Sequence, residues 1–315
     1  MPERLVTTII PVHNRAAMLR EAVASVVAQT HRPIEVIVVD DGSTDDTSHA
    51  ADELAREHPF VQVIHQENGG PGVAREAGRR AARGAYIQHL DSDDVLLPDK
   101  FARQVAALEA HPECGAAYGR TRLRRNGVAS DVPVKRTGER IDAMFPAMLA
   151  SRWWDTSTPL YRASVIASAG AWLPLRMEED WEYDARIAAL GTRLCFVHEW
   201  LSETREHGAQ LSGRGLAPRV LADRATAHAR IYDHARRAGI TTDTPEMQHF
   251  ARELFLLARQ CGAAGLRDAS RALFALARDA SQRPASLQFR AYELLALLLG
   301  WTAAGRLACM SDRLR

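Results

Sequence analysis

The 315-residue sequence predicts an α/β fold: a mostly parallel central sheet, followed by an all-helical region. Three observations carry this. Continuous apolar runs recur at 5–12, 35–39, 61–65 and 86–90. Segments of helical spacing at 16–29, 45–58 and 73–83 lie between them, joined by short connections. From about residue 217 only arginine- and alanine-rich helical segments remain. Buried parallel strands read as unbroken apolar runs, and strand–helix alternation with short connections covers both sheet faces.

The elements follow in order. Leu5–Val12 is apolar and β-branched, a buried strand. Ala16–Gln29 places Leu19, Val23, Val26 and Val27 on one helix face. Glu35–Val39 is the second strand, ended by Asp40-Asp41-Gly42-Ser43, where Ser43 or Thr44 is placed to cap a helix over Asp45–His58. Val61–His65 is a third strand, Val73–Arg83 a helix and Tyr86–Leu90 a fourth strand. Gly115–Arg124 reads as a strand, Arg125–Arg140 as a loop or hairpin, Asp142–Ala150 and Tyr183–Leu190 as helices, and Leu194–Val197 as a strand. Helices are expected over 219–238, 246–261, 266–279 and 286–299, punctuated by Gly239, Gly262, Gly265 and Pro284. The first domain is therefore expected over residues 1–215 and a helical extension over 216–315.

In such sheets ligands sit beyond the carboxyl ends of the strands. Pro11-Val12-His13-Asn14, Asp40-Asp41 and Asp91–Asp94 all follow strands at that edge. Asp41 offers an acceptor suited to an imide N–H such as that of uracil. Asp91, Asp93 and Asp94 repel one another and would repel a nucleotide diphosphate. A hard divalent cation bridging carboxylate and phosphate oxygens removes the conflict, and Mg²⁺ or Mn²⁺ needs only one or two protein carboxylates. If the D-x-D segment is extended, Asp91 and Asp93 share a side, one for the metal and the other for a ribose hydroxyl. Glu178, Glu179 and Asp180 open a helix, where the macrodipole favours carboxylates. Asp180 is also a candidate base. His207 is a candidate for metal or phosphate. Trp153 and Trp154 suit either sugar stacking or a core.

A net charge of +1 points away from nucleic acid. Cys114, Cys195, Cys261 and Cys309 form no C-x-x-C pair, and suit a reducing cytoplasm. The N-terminus enters a strand pattern at once, without the regions of a signal peptide. The longest apolar run, Leu294–Ala304, is shorter than a bilayer span. A soluble, cytoplasmic chain is expected. Arg236-Arg237 and the 294–304 run offer peripheral contact at the inner membrane face or a homodimer surface. No P-loop motif is present, and "GGPGVA" lies after the third strand rather than the first, unlike a dinucleotide-binding turn.

Six stretches occur in one order: "TTIIPVHNR", "IEVIVVDDGSTDDT", "ENGGPGVAREAG", "AYIQHLDSDDVLLPDKF", "EEDWEYDARIAALG" and "TREHGAQLS". Over residues 5–213 the chain resembles the family 2 inverting glycosyltransferases of the GT-A fold. The resemblance implies a nucleotide-sugar-binding domain over 1–215. It also implies metal-dependent transfer of a sugar from a nucleotide diphosphate, UDP favoured, to an acceptor hydroxyl. Glycans, glycolipids and small molecules are the acceptor classes, and polysaccharide synthesis is a natural setting. Pro11, His13, Asn14, Asp41, Arg75 and Asp91 would then contact the nucleotide sugar, with Asp41 on the base and Asp91 near the ribose. Asp93 and His207 would hold Mn²⁺ or Mg²⁺, and Asp180 would be the catalytic base. Two positions depart from the pattern. His13 replaces the usual Tyr or Phe, and Ala74-Arg75-Glu76 replaces A-R-N. The alternatives are an inactive nucleotide- or glycan-binding module and a sugar-nucleotide pyrophosphorylase.

Overall fold

The computed structural model describes residues 4–206 and 215–313. In chain order the strands and helices are β1 (Val6–Val12), α1 (Ala16–Val27), β2 (Ile34–Asp41), α2 (Thr47–Glu57), β3 (Val61–Gln66), α3 (Pro71–Ala81) and β4 (Tyr86–His89). Then come β5 (Val95–Leu96), α4 (Lys100–Ala110), β6 (Cys114–Arg125), β7 (Val128–Pro133), β8 (Leu160–Arg162), α5 (Ala163–Ala169), α6 (Glu179–Ala189) and β9 (Arg193–Arg205). The remainder is α7 (Pro218–Arg237), α8 (Pro245–Ala263), α9 (Arg267–Ala280) and α10 (Leu287–Arg313).

Among the described residues nine strands form one mixed sheet, ordered β3-β2-β1-β4-β8-β6-β9-β5, with β7 on β6. The β3-β2-β1-β4 half is parallel throughout. Antiparallel pairing enters with the three-residue β8, which joins β4 to β6, and with the two-residue β5 on β9. One face is sealed by Val6 and Ile10 of β1, Val36 and Val38 of β2, Leu19 and Val23 of α1, and Phe101 and Val105 of α4. Each such side chain stabilises the fold by about 1.5–3 kcal/mol on burial. On the other face α3 lies very close to the sheet, because Gly78 has no side chain. A Cβ there would stand 2.3 Å from Cγ2 of Ile9.

The chain divides into two compact units that are not consecutive in sequence. The sheet unit takes residues 1–144, 153–175 and 190–209; the helical unit takes 145–152, 176–189 and 210–315. In place of the single boundary expected at 215, the chain passes between the units several times, since α6 and the segment before Trp153 belong with the helices. The helical unit has its own core, including Leu221, Ile231, Phe250, Leu254, Phe255, Phe274 and Tyr292.

Four local expectations are corrected, and the open choice for Trp153 and Trp154 is decided. The helix within residues 142–150 is reduced to a 3₁₀ turn at Ala147–Leu149, since Pro146 has no N–H and restrains Phe145. Neither Ser43 nor Thr44 caps α2; Asp45 Oδ1 accepts the Thr47 N–H at 2.9 Å. Trp153 and Trp154 are wholly buried against Tyr118, which makes them core. The Asp91–Asp94 segment is a turn closed by Asp94 N–H to Asp91 C=O at 3.0 Å, not an extended strand. The apolar C-terminal segment extends well beyond 294–304, and Leu287–Ser311 is long and apolar enough, by length and composition, to cross a membrane.

Candidate active site

The parallel strand order reverses direction between β1 and β4, a switch point of the kind where α/β sheets bind ligands. β4 pairs with β1 only as far as Ile9↔His89, whereas β1 runs on beside β2 to Val12↔Asp40. Pro11 lies in that overhang. It has no N–H to offer a ladder, and β4 has already stopped pairing. The two strands part there, and the polar strand ends gather around the opening.

Asn14 ties two of these ends together. At φ +53 it adopts the left-handed region that asparagine tolerates better than most residues. Its N–H donates to Ser43 Oγ at 3.0 Å, and its Oδ1 accepts the Thr44 N–H at 2.7 Å. His13 is exposed, with Nδ1 3.0 Å from the Asp41 carbonyl and 3.1 Å from the Asn68 amide nitrogen. The Asp41 carboxylate is buried and accepts three hydrogen bonds. Gln66 Nε2 and the Gly69 N–H reach Oδ1, and the Gly70 N–H reaches Oδ2, each at 2.8 Å. Gly70 sits at φ +92, which a side chain would strain. Asp41 therefore fastens the loop before α3, and its oxygens retain further lone pairs for a donor.

The acidic turn is held by arginines from two directions. Arg15 Nη1 donates to Asp93 Oδ2, and the buried Arg75 Nη2 donates to Asp91 Oδ1, both at 2.6 Å. Arg75 also lies over the Trp172 ring, 5.2 Å from its centroid. Asp94 is buried and accepts the Ser157 hydroxyl at 2.6 Å. Burial first, and then the charges of Asp91 and Asp93, push the Asp94 carboxyl well above the usual range, against the Ser157 hydrogen bond. Glu76, at the position that departs from the family pattern, is engaged by neighbouring groups. It binds Arg79, Arg80 and the Trp172 N–H at 3.1 Å. Burial raises its pKa, but those partners outweigh burial and bring it down to about 2.

The residues present fit a hard divalent cation. They offer carboxylate oxygens, the donor type such an ion takes, and Asp91 and Asp93 each use one oxygen on an arginine. Among the described residues no group of three or more His, Cys, Asp or Glu is placed to enclose a metal. The protein's share of a shell at this turn would be Asp93, with Asp91 beside it, and phosphate oxygens would complete it.

Asp180 belongs to the helical unit, in the first turn of α6. Its Oδ1 accepts the Trp181 N–H at 2.7 Å. Arg152 forks across two carboxylates, Nη1 to Asp180 Oδ2 and Nε to Asp184 Oδ2, each at 2.8 Å. Just ahead of the helix Glu178 stands at φ +60, a conformation that needs support from its surroundings. Arg224 Nε and His228 Nδ1 of α7 supply it, at 2.8 and 2.9 Å. Burial would raise the Glu178 pKa, but its contacts with His228 and Arg224 hold it below the ordinary value.

Pro11, His13, Asn14, Asp41, Arg75, Asp91 and Asp93 are thus brought to one edge of the sheet unit. His207 lies outside the described residues. Asp94 of the expected acidic cluster is there too; Arg15, Ser157 and Trp172 join that edge without having been foreseen, and Arg152 joins Asp180 in the helical unit. Arg15 was signalled by its place beside Asn14; the others come from distant segments.

Residues 7–160 match the family described as Glycosyl transferase family 2. Over that stretch the chain is similar to this family of glycosyltransferases. An uncharacterized glycosyltransferase of Rickettsia felis is 41% identical over 104 residues, 33% of this chain and 17% of that protein. The matched part of the chain therefore spans less than a fifth of that relative. S. aureus TarS 1–349, solved in complex with UDP-GlcNAc, superposes with a TM-score of 0.68 at 18% identity, over 98% of this chain and 91% of that one. The mannosyltransferase PcManGT from Pyrobaculum calidifontis, solved with GDP-Man and Mn²⁺, gives 0.54 at 20% identity, over 99% and 87%. At these identities the two structures establish a shared GT-A type fold.

Proposed function

We propose that this chain acts as a family 2 glycosyltransferase and moves a sugar from a UDP-sugar to an acceptor hydroxyl, with Mn²⁺ or Mg²⁺ and with inversion at the anomeric carbon. The observation that carries the reading is the meeting of Asp41, Arg75, Asp91 and Asp93 at the β1/β4 switch point. Asp41 accepts from the base, Asp91 from the ribose, and Asn14 and Pro11 shape the loop that covers the nucleotide. His13 supplies a ring for the base, smaller than the Tyr or Phe usual in the family. Asp93 would hold the metal, with His207 as a further ligand. When bound, the metal supplies positive charge to the departing diphosphate. Asp180 removes the acceptor proton as the hydroxyl oxygen attacks. The likeness to TarS with UDP-GlcNAc favours a uridine donor; PcManGT with GDP-Man supports a guanine donor as the second reading. The four cysteines are free thiols, which suits a cytoplasmic reaction in glycan, polysaccharide or glycolipid synthesis.

Calorimetric titration with UDP and GDP, each with and without Mn²⁺, tests the donor site. UDP binding that strengthens with Mn²⁺ is expected; GDP preferred over UDP would overturn the uridine assignment. Release of UDP from UDP-sugars then separates a transferase from an inactive nucleotide-binding module, which would bind without turnover. The anomeric configuration of the product, read by NMR, tests inversion.

A further inference from the structure

α10 is apolar on two opposite sides. Phe289, Tyr292 and Ala296 are buried in the helical core, where Phe289 and Tyr292 pack on Phe255 and Phe274. At 3.6 residues per turn, Leu287, Ala291, Leu294 and Leu298 line the side facing away from that core. The three leucines are 83%, 57% and 72% exposed, and Leu297 beside them is 78% exposed. One exposed leucine needs no explanation, but a row of them over three turns does. Arg290 stands exposed on the same side, and Arg283 and Arg306 are exposed beyond either end of the row. Glu293, the only acidic residue between Ser281 and Ser311, is paired with Arg278 at 2.8 Å. The helix breaks at Gly300 (φ +81), and Leu307 and Met310 are exposed after the break.

We propose that the outer face of α10 seats on an anionic lipid surface, with its leucines in the headgroup–acyl boundary and its arginines on lipid phosphates. Charge chooses this occupant. A second copy of the same face would oppose Arg290 with a surface whose sole carboxylate is already engaged, so the guanidinium would lose water without gaining a partner. Headgroup phosphates supply that partner, and the arginine stem can lie along apolar surface while its head reaches them. Spanning the bilayer is the weaker use of the same helix. It would withdraw Phe289, Tyr292 and Ala296 from the core they complete.

The test is co-sedimentation of the full chain with vesicles of phosphatidylcholine alone, or mixed with phosphatidylglycerol, at low and high salt. The wild type should pellet with the anionic vesicles and largely stay in solution with the neutral ones. A Leu294→Gln, Leu298→Gln double variant should lose at least about tenfold in vesicle affinity while keeping its unfolding temperature. Arg290→Gln should bind more weakly at low salt and respond less to added salt. The idea is overturned if the wild type ignores anionic vesicles. It is equally overturned if sedimentation velocity shows a dimer that the double variant dissolves while neither protein binds lipid.

Discussion

Two acidic clusters, one in each unit, are handled in opposite ways. At the start of α6 four carboxylates meet basic side chains within their own unit: Glu178 meets Arg224 and His228, Asp180 and Asp184 share Arg152, and Glu182 takes Arg186 and His234. Glu178 and Glu182 accordingly stay ionised below the ordinary range, although burial opposes it. At the strand ends Asp91 and Asp93 have arginine partners, but Asp94 rests on a hydroxyl and its pKa rises. The helical cluster is neutralised from within. In the sheet cluster the charges of Asp91 and Asp93 still bear on the buried Asp94, and a bound cation would offset them.

The largest expected effect follows from giving the two clusters different tasks. Asp180→Asn should lower transfer by about 10²–10⁴-fold while UDP binding stays near wild type. Transfer at the wild-type rate would remove Asp180 from its role as base. Next comes stability. Arg152→Ala leaves Asp180 and the buried Asp184 without their shared cation, for an expected loss of about 3–5 kcal/mol. Arg15→Ala at the sheet cluster should cost less, because it strips one partly buried carboxylate of a cation rather than two that share one. Denaturant melts of both variants compare them; an equal loss would break the contrast.

A smaller effect concerns metal-linked binding. Asp93→Asn should weaken Mn²⁺-supported UDP binding by about tenfold or more, the size of one lost interaction with a charged group of about 1.5–3 kcal/mol. Binding without metal should change little. Calorimetry in Mn²⁺ and in chelator reads both.

The smallest effects are in acid, where the clusters should differ in sign. The folded-state pKa of Glu182 is depressed below 4.5, so its stabilisation is present above that pH and is lost as pH falls through the depressed value. Glu182→Gln should flatten the acid limb of the stability curve. Asp94 is raised above 3.8, so its ionised form weakens the fold at neutral pH, and the deficit shrinks as pH falls through the raised value. Asp94→Asn should therefore raise the unfolding temperature near pH 7, by about 2–4 °C for each kcal/mol relieved. A lower unfolding temperature would show that the Ser157 contact outweighs burial.

Much of the sheet unit was legible because its signals are local. The runs at Val6–Val12 and Ile34–Asp41 announce buried strands by composition, and the helical spacing of Leu19, Val23 and Val26 announces the layer above them. The polar residues after each strand were legible for the same reason, since the parallel arrangement sends those ends to one edge. β5 and β8 escaped because two or three residues carry no periodicity. α4 went unforeseen even though Phe101, Val105 and Leu108 have helical spacing. Arg152, Ser157 and Trp172 escaped for another reason: nothing near them in sequence marks Asp184, Asp94 or Arg75 as their partners.

By itself the sequence determined where apolar faces recur, which residues end the strands, and how many carboxylates stand together, because these depend only on neighbours along the chain. Tertiary structure alone decided which arginine meets which carboxylate, that 145–152 and 176–189 join the helices, and that one side of α10 stays uncovered. Those outcomes depend on segments far apart in sequence coming into contact, and hydrophobic periodicity shows which face is buried without naming the surface that buries it.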